Sequence, residues 1–115
     1  MADIYFYLKS VDLLLNNGQK CQIRMSSAIN VFKGLAQGQK LSSFYAGITN
    51  DPDRREDEHN ANFIGLVLCQ SEKDAKELEK MLDEAGFDTG ARPANGGNKD
   101  TKYVYLYKKS YTTKE

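Results

Sequence analysis

A chain of 115 residues with one His, two Cys and no Trp is long enough for one modest core and too short for two domains. Sixteen basic and sixteen acidic residues cancel, which argues against loose, charge-driven adhesion to nucleic acid. No apolar run approaches a membrane-spanning length, and MADIYFYLKS lacks the basic-then-apolar order of a secretory leader, so a cytoplasmic domain without membrane contact is expected.

The elements follow in chain order. Ile4, Leu8, Val11 and Leu15 recur at one face of a helix, and NNG supplies a stop at Gly18; aromatic IYFYL makes a strand the competing reading. A second helix is expected from about Gln22, with Met25, Ala28, Ile29, Phe32 and Leu35 on one face and Gly38 just past its end. The two together predict an N-terminal helical hairpin. At Leu41 the pattern changes, and SFYAGIT has the aromatic and β-branched content of a strand. In NDPDRREDEHN, Asp51 is placed to cap a short helix, Pro52 fits its first position, and the charged run continues to about Asn60. FIGLVLCQ is apolar on both faces and reads as a covered central strand that buries Cys69. Ser71 and Asp74 then resemble a capping box, ahead of a helix with Ala75, Leu78, Met81, Leu82 and Ala85 inward and Gly86 at its end. TGARPANGGNKD is a loop, and KYVYLYKK is the last strand. Cys21 and Cys69 lie far apart, without metal-type spacing, and are expected as two reduced thiols. From Ala91 onward six basic residues stand against two acidic ones, a tail able either to contact phosphate or simply to solubilise the chain end.

The run FYAGITNDPDRREDEHN resembles the second motif region of the GIY-YIG nucleases, in which a Tyr-x-Gly strand leads into a helix bearing Arg and then His or Tyr. Tyr45-Ala46-Gly47 stands for the YIG element, and Asn50, Asp51, Pro52, Arg54, Arg55, His59 and Asn60 match its continuation. The likeness resumes in SEKDAKELEKML, where the family carries a Glu that falls on Glu79; it covers roughly residues 42 to 84. The family's first element, a Gly-Ile-Tyr strand just ahead of the Tyr-x-Gly, has no counterpart, since that space holds INVFKGLAQGQKLSS. DIYFYL and KYVYLYK, with Tyr103, Tyr105 and Tyr107, are the two segments able to replace it. The C-terminal one is preferred, as in a permuted sheet, because the helical period competes at the N-terminus.

The resemblance implies metal-dependent hydrolysis of phosphodiesters in nucleic acid, DNA before RNA. It implies Tyr45 as general base or orienter of the water, Arg55 on the scissile phosphate, and His59 assisting the base or contacting phosphate. Glu79 would hold Mg²⁺ or Mn²⁺, and Arg54, Lys102, Lys108 and Lys109 would contact nucleic acid. Two spacings support this independently: Arg55 and His59 are i, i+4 on one helix face, and Glu79 borders the apolar stripe of its helix. Taken singly, each residue has an ordinary use. Tyr45 is a packing residue on a strand, Arg54 and Arg55 pair with Asp51 or Glu58, His59 complements a helix C-terminus, and Glu79 pairs with a Lys. The fold expected is α+β: a single domain over 1–115, with a small central antiparallel three-stranded sheet flanked by helices over 41–110 and a helical hairpin extension over 1–40. The second functional reading is a catalytically inactive module of the same kind. It binds nucleic acid or a protein partner, with the N-terminal helices as the interaction face.

Overall fold

The computed structural model describes residues 9–15, 18–89, 102–110 and 113. Strands β1 (Ser10–Leu14) and β2 (Lys20–Arg24) precede helix α1 (Met25–Leu35), and a single 3₁₀ turn (Leu41–Ser43) leads into β3 (Phe44–Thr49). Helix α2 (Pro52–His59), β4 (Gly65–Leu68), α3 (Glu72–Ala85) and β5 (Tyr103–Lys108) complete the order. The strands form one five-stranded sheet in the order β2-β1-β4-β5-β3, antiparallel throughout.

This corrects two expectations. The sheet has five strands rather than three, and the N-terminal part is a β-hairpin followed by one helix rather than a helical hairpin. The cause lies in the spacing. Val11 and Leu15 are four apart, and residues four apart share a face in a strand as well as in a helix. What decides is the alternation Val11, Leu13 against Ser10, Asp12, Leu14: Val11 is buried and Leu13 packs against the core. Gly18 belongs to a hairpin instead of ending a helix; Leu15 N donates to Gln19 O at 2.9 Å, and Gly18 takes φ +84°, where glycine is favoured. Ile4 and Leu8, and the IYFYL reading, lie outside the described residues. β1 is therefore built into the sheet, pairing directly with β4 through Asp12–Leu68 and Leu13–Val67. The protein-binding face assigned to N-terminal helices falls with the helical hairpin.

The later elements stand close to their expected places. Met25, Ala28 and Phe32 of α1 and Ala75, Leu78 and Leu82 of α3 are buried against Val11, Phe44, Ala46, Val67, Val104 and Leu106, which line one face of the sheet. α1 begins at Met25 rather than Gln22 because residues up to Arg24 belong to β2. Ser71 caps α3, its hydroxyl accepting from Asp74 N at 3.1 Å. The Asp74 carboxylate, almost wholly buried, makes an ion pair with Lys9 at 2.7 Å. β5, the last strand in sequence, lies between β4 and β3 and is buried over Val104–Tyr107. No helix among the described residues is long and apolar enough to cross a membrane.

Both cysteines are free thiols, Cys21 exposed and Cys69 buried one residue beyond β4. Burial, with the charge of Asp74, pushes the Cys69 pKa up to about 12. At pH 8 a maleimide should therefore modify Cys21 within minutes and Cys69 only on unfolding. Mass spectrometry of the native and denatured chain, reading one adduct against two, checks this.

Candidate functional site

The face of the sheet opposite the core carries a row of tyrosines over β3 and β5. Antiparallel register sets Tyr45 opposite Tyr107, Gly47 opposite Tyr105 and Thr49 opposite Tyr103, so side chains at these positions share one face. Tyr105 leans across β3, the edge strand, and its phenol occupies the space above Gly47. A Cβ at Gly47 would lie 2.5 Å from Tyr105 Cζ and overlap the hydroxyl. The glycine of Tyr-x-Gly is thus required by the tyrosine of the neighbouring strand, not by a turn.

Helix α2 is brought over this row by its own start and by one side chain. Thr49 Oγ1 accepts from Asp51 N at 3.0 Å, and Asp51 caps the helix by accepting from Arg54 N at 3.2 Å, with Pro52 in the first position. Asn60 ends it in the left-handed conformation, φ +52°. His59 is the helix's one buried side chain, and it fits between two phenols: Nε2 lies 2.8 Å from Tyr105 Oη and Nδ1 3.2 Å from Tyr107 Oη. A charged helix with almost no apolar surface is docked by hydrogen bonds instead. Beyond it, Glu56 Oε2 accepts from Phe63 N at 2.8 Å, and the Phe63 ring stacks on Tyr105 with centroids 4.3 Å apart. Tyr45, half-buried, lies 5.3 Å from Tyr107 and 5.4 Å from His59 between ring centres.

Two charges complete the cluster. Arg55 donates to Glu58 Oε1 at 3.1 Å, and its charge is felt at the Tyr105 phenol. Burial works against its charge, but Glu58 and Tyr105 together outweigh that, and its pKa stands above the ordinary value. Burial is also the main reason that the Tyr105 pKa stands above the ordinary tyrosine value; Arg55 opposes the rise, while Tyr45 and Glu79 add to it. Glu79, on α3, is half-buried with its charge felt at Tyr105. Its own pKa is raised from 4.5 to about 7, by burial first and then by Asp83, with Lys76 opposing.

The structure therefore brings Tyr45, Arg55 and His59 together and sets Glu79 within electrostatic reach. His59 is only 3% exposed, so contact with phosphate is closed to it and a role beside the phenols remains. The expected basic contacts do not gather around the cluster. Arg54 donates to Asn50 Oδ1 at 3.0 Å on the exposed side of α2, Lys102 and Lys108 sit at opposite ends of β5, and Lys109 pairs with Asp88 at 2.8 Å. Much of the basic tail lies outside the described residues. Phe63 was not legible as a site residue; an aromatic directly ahead of an apolar strand reads as part of that strand. Tyr105 and Tyr107 were legible, with Tyr103, as candidates to replace the missing first tyrosine, but not as partners of His59.

Two outcomes follow from these charges. Glu58 holds Arg55 by an ion pair with both side chains well exposed, which contributes at most about 1 kcal/mol, so an incoming phosphate can displace it. Glu58→Gln should raise affinity for inorganic phosphate about threefold and alter stability by less than about 1 kcal/mol. Phosphate titrations and urea melts measure both. For Glu79, the folded chain holds its proton more tightly than the unfolded chain between pH 4.5 and about 7. The penalty for the carboxylate is absent below that window, grows as pH rises through it and is complete above it. Glu79→Gln should then be more stable than wild type by about 1 kcal/mol at pH 8, after discounting for solvent screening, with no difference at pH 4. Melts at the two pH values read the sign.

Among the described residues no group of three or more His, Cys, Asp or Glu is placed to cage a metal. A single half-buried carboxylate with a second acid, Asp83, one turn along does fit Mg²⁺, which commonly takes one or two carboxylates and completes its shell with water and substrate phosphate. No protein-family model, curated protein or solved structure matches the chain.

Proposed function

We propose that the protein is a metal-dependent phosphodiesterase of nucleic acid, a GIY-YIG-like endonuclease in which the last strand supplies the tyrosine that the sequence lacks ahead of Tyr45. The single observation that carries this reading is the convergence of Tyr45 from β3, Tyr105 from β5 and Arg55 and His59 from α2, with Glu79 of α3 in electrostatic reach. Phosphodiester hydrolysis needs an oriented water, a proton acceptor and positive charge on the phosphate oxygens.

Tyr45, the half-buried phenol of the cluster, orients the water or takes its proton. Arg55, with 39% of its side chain exposed, exchanges Glu58 for the scissile phosphate and holds it through its forked donors. Tyr105 and His59, beneath them, fix Arg55 and Tyr45 in place. Glu79 is the ligand for Mg²⁺ or Mn²⁺, which when bound supplies positive charge to the phosphate and the leaving oxygen.

The test is a panel of branched, nicked and single-stranded DNA and RNA incubated with Mg²⁺ or Mn²⁺. Cutting of at least one substrate, lost in Glu79→Ala, is expected; absence of cutting across the panel refutes the enzyme. The second reading, a silent module that binds nucleic acid or a protein partner, is favoured by the occupied state of Arg55 and by the raised Tyr105 pKa. Mn²⁺ titration separates the two, because selective broadening of amide signals around Glu79 is expected of the enzyme alone.

A further inference from the structure

Among the tyrosines of this face, Tyr107 is the most deeply buried, at 0% exposure, and cannot touch a substrate. Its hydroxyl nevertheless meets His59 Nδ1 at 3.2 Å, while His59 Nε2 meets Tyr105 Oη at 2.8 Å. A neutral imidazole has one N–H donor and one acceptor nitrogen, so the two contacts run in opposite senses and the tautomer decides which. The shorter contact suits an O–H donor and the longer one an N–H donor. Arg55 points the same way. Its positive charge, felt at Tyr105, favours the phenol oxygen's lone pairs toward it and the phenol proton turned away, toward an acceptor. His59 Nε2 is that acceptor. In the other tautomer Nε2–H would donate to Tyr105 Oη, and the phenol proton would lose His59 as its acceptor.

We propose that Tyr107 is a positioning residue: by accepting Nδ1–H it fixes the tautomer of His59, so that Nε2 receives the Tyr105 hydroxyl and the lone pairs of Tyr105 face Arg55. The chain of contacts Tyr107, His59, Tyr105, Arg55 runs from the buried sheet face to the exposed guanidinium. It sets where the phosphate-binding fork points. Only its catalytic consequence rests on the nuclease reading; the hydrogen-bond directions stand apart from it.

His59 is the chain's one histidine, so its ring nitrogens give unambiguous signals in a long-range ¹H–¹⁵N spectrum of the full-length protein. Wild type should show a protonated Nδ1 and an unprotonated Nε2. Tyr107→Phe, which keeps the ring stack, should shift the population to the Nε2–H tautomer, whereas Tyr105→Phe should leave Nδ1 protonated. A wild-type spectrum with protonated Nε2 overturns the proposal without need of any variant, as does a Tyr107→Phe ring identical to wild type. In cleavage assays Tyr107→Phe should lower kcat about tenfold with KM little changed, the signature of a lost transition-state alignment. If no substrate is cut, the nuclease reading fails while the tautomer result still decides this one.

Discussion

Arg55→Ala should lower cleavage by about 10²–10³-fold while leaving the fold within about 1 kcal/mol of wild type. The two halves of this expectation come from different parts of the geometry. Its pair with Glu58 is exposed on both sides, at 39% and 50% of the side chains, so losing it costs little stability. On the proposed nuclease reading, its catalytic value would lie in a pair of parallel donors beside Tyr105, facing a phosphate whose charge increases in the transition state. Arg55→Lys should not restore activity, because a point charge cannot reproduce the fork. Rates under single turnover, with a urea melt beside them, separate lost chemistry from lost folding. Equal losses in both would place Arg55 among structural residues.

Gly47→Ala should destabilise the protein by about 2 kcal/mol, which for a domain of this size lowers Tm by roughly 8 °C. The added Cβ overlaps the Tyr105 hydroxyl and comes 2.5 Å from Cζ. A flexible side-chain end would swing aside, but this ring is stacked on Phe63 at 4.3 Å and tied to His59 at 2.8 Å. Relief therefore requires Tyr105 to leave His59, loosening the one buried anchor of α2. Activity should fall along with stability. In a Tyr105→Leu background the same Gly47→Ala change should cost less than about 0.5 kcal/mol, a non-additivity that identifies the phenol as the obstacle. If the costs add, the glycine serves backbone conformation instead.

The sequence carried the local elements well where one period dominated. α3 has a cap, a stripe of apolar residues and a terminal glycine that agree with one another, and α2 has a cap, Pro52 and an αL end. The β1–β2 hairpin was hidden because its apolar residues fit both periods, and a hairpin is stabilised by partners far along the chain, here β4. Sheet order was equally hidden. Nothing local to YVYLY says that it lies between β4 and β3, yet that placement brings Tyr105 over Gly47 and Tyr107 under His59. The candidate site was thus half legible. Tyr45, Arg55 and His59 lie within fifteen residues and share a local pattern, whereas their partners Tyr105 and Tyr107 enter through pairing some sixty residues away. The burial of Asp74 against Lys9 is of the same long-range kind.

The most direct test of the account is single-turnover cleavage of one labelled substrate by wild type, Arg55→Ala and Glu79→Gln in parallel, each with Mg²⁺ and with EDTA. The arrangement of Tyr45, Arg55 and Glu79 predicts cutting by wild type with metal and by no other combination. Cutting that survives in EDTA or in both variants would contradict it, as would a wild-type protein that cuts none of the branched, nicked or single-stranded forms.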